Sequence, residues 1–162
     1  MLDEDLQPLL NKAYFYLKFR PRTAWEMRRY LYKKIEKTHW SRSDADKIIN
    51  HLLGLGLLDD KKFIEIFIEE RKNLKPKGKF VLKQELIKHG IDKQLIDDYF
   101  ERTPFNEEDL AEKALYHHWS RLKDLPVEKR LQKASQFLFR RGFPFALAKK
   151  TLEKLNNKFS SQ

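Results

Sequence analysis

The chain has 162 residues, and 34 Lys and Arg against 24 Asp and Glu give it a formal net charge of +10 and an isoelectric point near 9.7. It has no cysteine, which excludes disulfide frameworks, thiolate zinc sites and cysteine nucleophiles and makes a reducing cytoplasm the expected setting. The basic surplus favours an anionic partner such as nucleic acid, an acidic protein face or a membrane surface. No apolar run reaches the roughly 20 residues of a bilayer crossing. The acidic start "MLDEDLQPLLNKAYFYL" is unlike a signal peptide, so a cytoplasmic protein is expected.

Apolar residues recur at helical spacing along almost the whole chain, with no convincing alternation, and predict an all-α fold. Leu6, Leu10, Ala13 and Leu17 form a first stripe, closed by Pro21. Thr23 caps a second helix carrying Met27, Leu31 and Ile35. A third starts near Ser41 or Ser43, shows Ala45, Ile48, Ile49, Leu52 and Leu53 on one face, and stops at Gly54 or Gly56, where glycine relieves a left-handed cap.

The stretch "GLGLLDDKKF" follows. Two adjacent carboxylates, Asp59 and Asp60, invite a metal or acid–base reading. They stand just before a stripe that begins at Phe63, however, where aspartate accepts backbone N–H bonds and complements the positive end of a helix dipole. Capping at a seam between helical units is the expected role, with Gly54 and Gly56 closing the unit before it.

Phe63, Phe67 and Ile68 then lie on one helix, Leu82 and Leu86 on the next, and Leu95, Ile96, Tyr99 and Phe100 on one capped by Asp92; Pro76-Lys77-Gly78 and Gly90 punctuate them. Asp97-Asp98 is expected on the solvated side. Asn106 caps a helix bearing Leu110, Ala114, Leu115 and His118. Val127, Leu131, Ala134 and Leu138 follow, then Leu147, Ala148, Thr151, Leu152 and Leu155, with Pro144 in the first turn.

The three rounds superpose when Leu31, Leu86 and Leu138 are aligned, at a spacing of roughly 50 residues. The expected architecture is a tandem array of three three-helix repeats, residues 1–58, 59–104 and 105–162. It should be elongated and curved, offering a long concave surface. A single nine-helix globule is the alternative.

Chemistry is sparse in this pattern. His39, His51, His89, His117 and His118 form neither HxxxH nor HExxH, and no phosphate-binding glycine loop or nucleophile elbow occurs. No enzyme activity, cofactor or metal is expected. Basic residues cluster instead around the second helix of each round. Arg28 and Arg29 stand in the first; Arg71, Lys77, Lys79 and Lys83 in the second; Arg140 and Arg141 in the third. If the rounds repeat in space the clusters form a basic track, although Lys and Arg are also good solvated helix residues. Aromatics are interleaved, as in "AYFYLKFRPRTAWEMRRYLYKK".

"GLLDDKKFIEIFIEERKNLKPKGKFVLKQELIKHGI", "FRPRTAWEMRRYL" and "FLFRRGFPFALAKKTLEKL" together resemble the RecX family of bacterial RecA regulators, over nearly the whole chain and in the family's order. The departures are mild: Ile64 stands where alanine is commoner, and Thr23 and Met27 replace serine and leucine. The resemblance implies tandem three-helix repeats and a non-enzymatic regulator of homologous recombination, DNA repair and the SOS response. Such a regulator binds in the groove of the RecA–single-stranded DNA filament and inhibits its ATPase, strand-exchange and coprotease activities. It implies RecA as partner, with single-stranded DNA within the filament; a cytoplasmic monomer with at most weak contact with naked DNA and no membrane is expected. Arg71 matches the family's helical arginine. With Lys77, Lys79, Lys83, Arg140 and Arg141, and then Arg28 and Arg29, it is a candidate contact residue. A plain DNA-binding module acting on naked DNA is the alternative.

Overall fold

The computed structural model describes residues 2–161. Among them the chain is helical, with no strand: α1 Gln7–Leu17, α2 Ala24–Ile35, α3 Arg42–Gly54, α4 Asp60–Leu74, α5 Lys79–Lys88, α6 Lys93–Arg102, α7 Glu107–His118, α8 Val127–Arg140 and α9 Phe145–Ser160. Single 3-10 turns at Glu4–Leu6 and Trp119–Arg121 precede α1 and follow α7.

The helix starts follow from local hydrogen bonding. Thr23 and Ser41 open α2 and α3 with capping boxes, the side chain of each accepting from the N–H of Glu26 or Asp44 and receiving that residue's carboxylate on its own N–H. Asn106 accepts from Asp109 N–H at α7, and Asp92 from Gln94 N–H at α6. Pro126 and Pro144 stand at the N-cap positions of α8 and α9, one residue before the first turn. Their extended ψ, 146° and 141°, turns the chain into the helix, and the missing N–H lies outside the helical ladder. α3 runs through Gly54; Gly56, at φ +71°, takes the left-handed turn.

The chain forms two compact units. One comprises the residues up to Glu65 with Leu86–Tyr99, the other Ile66–Glu85 with the residues from Phe100 onward. In the first, α1, α2 and α3 share a core in which Leu9, Ala13, Met27, Leu31, Ala45, Ile48, Ile49 and Leu52 are wholly buried. In the second, α7, α8 and α9 close over Ala111, Leu115, Ala134, Leu138, Ala148, Leu152 and Leu155. Each buried Leu or Ile contributes roughly 1.5–3 kcal/mol of transfer free energy. α4, α5 and α6 are each divided between the units and bury Phe63, Ile64, Phe67, Ile68, Leu82, Leu86, Ile96 and Phe100.

Two stripes are narrower than their periodicity suggests. Leu53 and Val127 are exposed, because Ala45, Ile48, Ile49 and Leu52 already fill the α3 face and Val127 starts its helix before the packed turns. Asp97 and Asp98, expected in solvent, are half-buried, and Asp98 accepts from the Gln94 side-chain amide four residues back.

In the second unit a glycine-only crossing joins the loop before α5 to the turn between α8 and α9. Gly78 N–H donates to the Arg141 carbonyl at 2.7 Å. A Cβ on Gly78 would lie 2.1 Å from the Gly142 oxygen. Gly142 has φ +85°, and a Cβ there would lie 2.5 Å from Val81 Cγ2. Gly78→Ala should therefore lower unfolding free energy by about 3 kcal/mol in urea titrations. Gly54→Ala, in a helical conformation with nothing within 4 Å, should raise it by about 0.5–1 kcal/mol.

Candidate functional site

Two half-buried carboxylates, Glu26 and Glu85, organise the charged side chains, one in each unit. In the first unit Glu26 on α2 receives Arg20 on both oxygens, at 2.7 and 3.1 Å. It also receives Thr23 N–H at 3.0 Å and His89 Nδ1 at 2.9 Å. Thr23 Oγ1 in turn donates to the His89 carbonyl at 2.6 Å. Burial would raise the Glu26 carboxyl, but the bonds from Arg20, His89 and the Thr23 N–H outweigh it and bring the pKa down to about 2.

The two seam aspartates diverge beside this hub. Asp59 accepts from Lys62 N–H at 3.1 Å and so caps α4. Asp60 reaches the N-terminus of α2, accepting from Ala24 N–H at 3.0 Å. Burial pushes its carboxyl above the usual range, and the negative charges of Asp59 and Glu26 add to that against the Ala24 bond.

The basic candidates fall into distinct settings. Arg28 pairs loosely with Asp46 at 3.5 Å, and the Arg29 guanidinium lies 4.6 Å from the Trp25 ring centroid. Both belong to the first unit. Its interleaved aromatics serve as seats for cations: Arg22 lies over Tyr16 at 3.8 Å, Tyr16 stacks on Tyr30 at 4.0 Å, and Lys34 lies over Tyr30 at 5.4 Å.

The other six belong to the second unit. Arg71 Nε donates to Glu85 Oε2 at 3.2 Å, and its guanidinium covers Phe67. Lys77 binds the other Glu85 oxygen. Burial works to raise the Glu85 carboxyl, but the Lys77 and Arg71 bonds prevail and lower it. Lys79 and Lys83 both lie over the Phe100 ring, at 5.6 and 5.5 Å. Arg141, half-buried, lies over Phe137 and supplies the carbonyl bound by Gly78; burial and the adjacent Arg140 charge lower its pKa.

Lys79, Lys83 and the exposed Arg140 line one groove of about 750 Å³, floored by Val81, Gly142, Phe143 and Pro144. Phe80, Phe139 and Phe145 also line it, with 68%, 69% and 71% of their surface open to solvent. Glu107 anchors one wall, its Oε1 accepting from Lys79 N–H at 2.8 Å. The glycine crossing builds this groove, since it holds the first turn of α5 against the α8–α9 turn. What the arrangement offers is an aromatic cleft with a cationic rim. Among the described residues no group of three or more His, Asp and Glu side chains converges as a metal site.

Comparison with known proteins fixes the lineage. Residues 59–99 match the second three-helix domain of RecX, and residues 106–158 match its third. The regulatory protein RecX of Prosthecochloris aestuarii is 32% identical over 160 residues, spanning 96% of this chain and 98% of the relative. The chain belongs to the RecX family. RecX of Streptococcus mutans is 31% identical over 94% of this chain, which spans 57% of that longer relative. The fold agrees with a crystal structure of RecX from Lactobacillus salivarius, at a TM-score of 0.76 and 24% identity over 96% of this chain and 99% of that one. A second crystal structure of a regulatory protein RecX gives a TM-score of 0.70 at 26% identity, over 94% and 80% of the two chains.

Within this RecX-family chain, sequence reasoning did not find Glu85, Glu107, Phe80, Phe139 or Phe145. The phenylalanines had a signal: Phe80 and Phe139 lie two and one residues off the buried Leu82 and Leu138, and Phe145 lies two off the partly buried Leu147, so each projects from a stripe already complete. Glu26 had one too, in the Thr-x-x-Glu spacing of a capping box. Glu85 and Glu107 had none, because their partners arrive from other elements.

The Glu26 hub gives stability a defined pH dependence. Its folded pKa of about 2 lies below the ordinary 4.5, so the stability it contributes is present above pH 4.5 and lost as pH falls toward 2. Glu85 has the same sign; Asp60, whose pKa is raised, has the opposite one. Glu26→Gln should cost on the order of 2 kcal/mol at neutral pH and flatten the acid limb of the stability–pH curve measured by chemical denaturation.

Proposed function

We propose that this chain is a non-enzymatic regulator that binds the RecA–single-stranded DNA filament and restrains its ATPase, strand-exchange and coprotease activities. The observation that carries this reading is the convergence of Lys79, Lys83 and Arg140 on one aromatic groove, in a chain of a regulatory family matched along almost the whole of a relative of similar length. A surface of this kind suits binding and orienting a partner. The protein acts in the cytoplasm as a monomer, and its repeats at 1–58, 59–104 and 105–162 each engage the filament. Several weak contacts made by one chain gain effective concentration from one another, which suits a regulator that must hold a polymer and still be released.

The contact residues divide by their surroundings. Arg140, Lys79 and Lys83 line the groove and face the partner, with Arg141 beside them; Arg28 and Arg29 contribute from the first repeat. Arg71 and Lys77 are held by Glu85 and act mainly by fixing the loop before α5. The net charge of +10 favours a second reading, a module for naked DNA. Tight binding to bare duplex with a salt slope near 0.9 in log K per phosphate neutralised would support it.

Purified protein should slow ATP hydrolysis by RecA on single-stranded DNA at substoichiometric ratios, while binding the same DNA without RecA at least tenfold more weakly. No slowing at molar excess would sink the proposal. Arg140→Glu should weaken inhibition about tenfold with an unchanged melting temperature. Glu85→Ala should instead lower stability, by about 1–3 kcal/mol, because it strands two cations.

A further inference from the structure

We propose that the groove of the second unit takes an amphipathic segment of the protein partner, with an apolar face seated on Phe80, Phe139 and Phe145 and carboxylates reaching Lys79 and Arg140. The proposal rests on the filament-binding reading above and deepens it, by assigning this groove to polypeptide in place of nucleic acid.

Three observations favour polypeptide. The rings come from three elements, α5, α8 and α9, and each leaves more than two-thirds of its surface in water. A cluster of exposed aromatics around an apolar floor is the surface that buries anchors at a protein interface. The rim charge is cationic on two sides, so the complementary segment is acidic at its flanks. And the groove contains a fixed carboxylate. Glu107 is held in the wall by Lys79 N–H, and a carboxylate there accepts from peptide N–H groups, whereas a phosphodiester beside it brings a like charge and no N–H. A second depression of about 550 Å³ shares Glu107 and Pro144 with the groove and continues past Pro104, Phe105 and Leu147.

Exposed phenylalanines beside Lys and Arg could also stack bases of a single strand, and a photo-cross-linking experiment separates the two. The full chain carrying Phe139→p-benzoylphenylalanine is assembled on RecA filaments formed on oligo(dT), pelleted, irradiated and digested. The adduct should lie on RecA polypeptide, at a segment with an apolar residue within about four positions of two or more Asp or Glu. The same photoprobe at Phe19, an exposed ring of the first unit, should not label that segment. Labelling of oligo(dT) from position 139, equal labelling of the segment from both positions, or co-pelleting with no adduct each overturns the groove assignment while leaving filament binding intact. Failure of the unsubstituted chain to co-pellet overturns both readings. In the same filaments, Phe139→Ser with Phe145→Ser should weaken binding at least tenfold with no loss of thermal stability. Unchanged binding would count against the groove.

Discussion

The backbone bond from Gly78 to the Arg141 carbonyl is the constraint on which the second unit's surface depends. Two chain segments distant in sequence approach so closely that neither can carry a side chain at the crossing, and Gly142 must in addition adopt a left-handed φ. One bond of this kind is worth only about 1 kcal/mol net. Its effect is geometric: it fixes where α5 starts relative to where α8 ends, and so sets Lys79, Phe80 and Lys83 opposite Phe139, Arg140 and Phe145. The same loop is held a second time from Glu85, which takes Lys77 from the loop and Arg71 from α4. A third tie, Glu107 on Lys79 N–H, satisfies a first-turn donor that would otherwise need a cap.

Charge is partitioned by these ties. In a chain with a surplus of +10, two half-buried carboxylates tie particular cations to the fold. Glu26 takes Arg20 and His89; Glu85 takes Arg71 and Lys77. Burying either carboxylate is unfavourable by itself, and only the convergence of several donors makes the ionised form the stable one. Exposed pairs such as Arg28–Asp46 and Lys150–Glu108 contribute little to stability. Their cations can exchange partners at small cost, which is the property a contact residue needs.

Helical periodicity and caps were legible in the sequence because both are local. A stripe at i, i+3, i+4 needs only its own helix, and Thr23, Ser41, Asn106 and Asp59 each bond to an N–H three residues on. Asp60 shows where locality ends. It neighbours a cap, and its bond goes to Ala24, 36 residues away, which no spacing rule encodes. The aromatic interleaving was visible and its meaning was not: Tyr16 and Tyr30 stack on each other under Arg22 and Lys34, whereas Phe80, Phe139 and Phe145 stand open. Both sets are aromatics beside Lys and Arg in the sequence, and what separates them is what the tertiary fold brings against each ring.

The segments that carry the family resemblance are largely the ones that make the fold. In "FLFRRGFPFALAKKTLEKL", Arg141 offers its carbonyl to Gly78, Gly142 makes the turn, and Phe143 is 2% exposed. In the earlier segment, Thr23 and Glu26 form the capping box and the hub. The open groove residues are their neighbours in sequence, Phe139 and Arg140 on one side of the turn and Phe145 on the other. Helical geometry allows this interleaving: successive residues are rotated by about 100°, so a residue beside a buried one can face out, as Phe139 does beside Leu138. Recognition of the lineage therefore rests on residues that build the scaffold. The open groove residues lie among them, exposed to solvent and outside the glycine crossing that holds them in place.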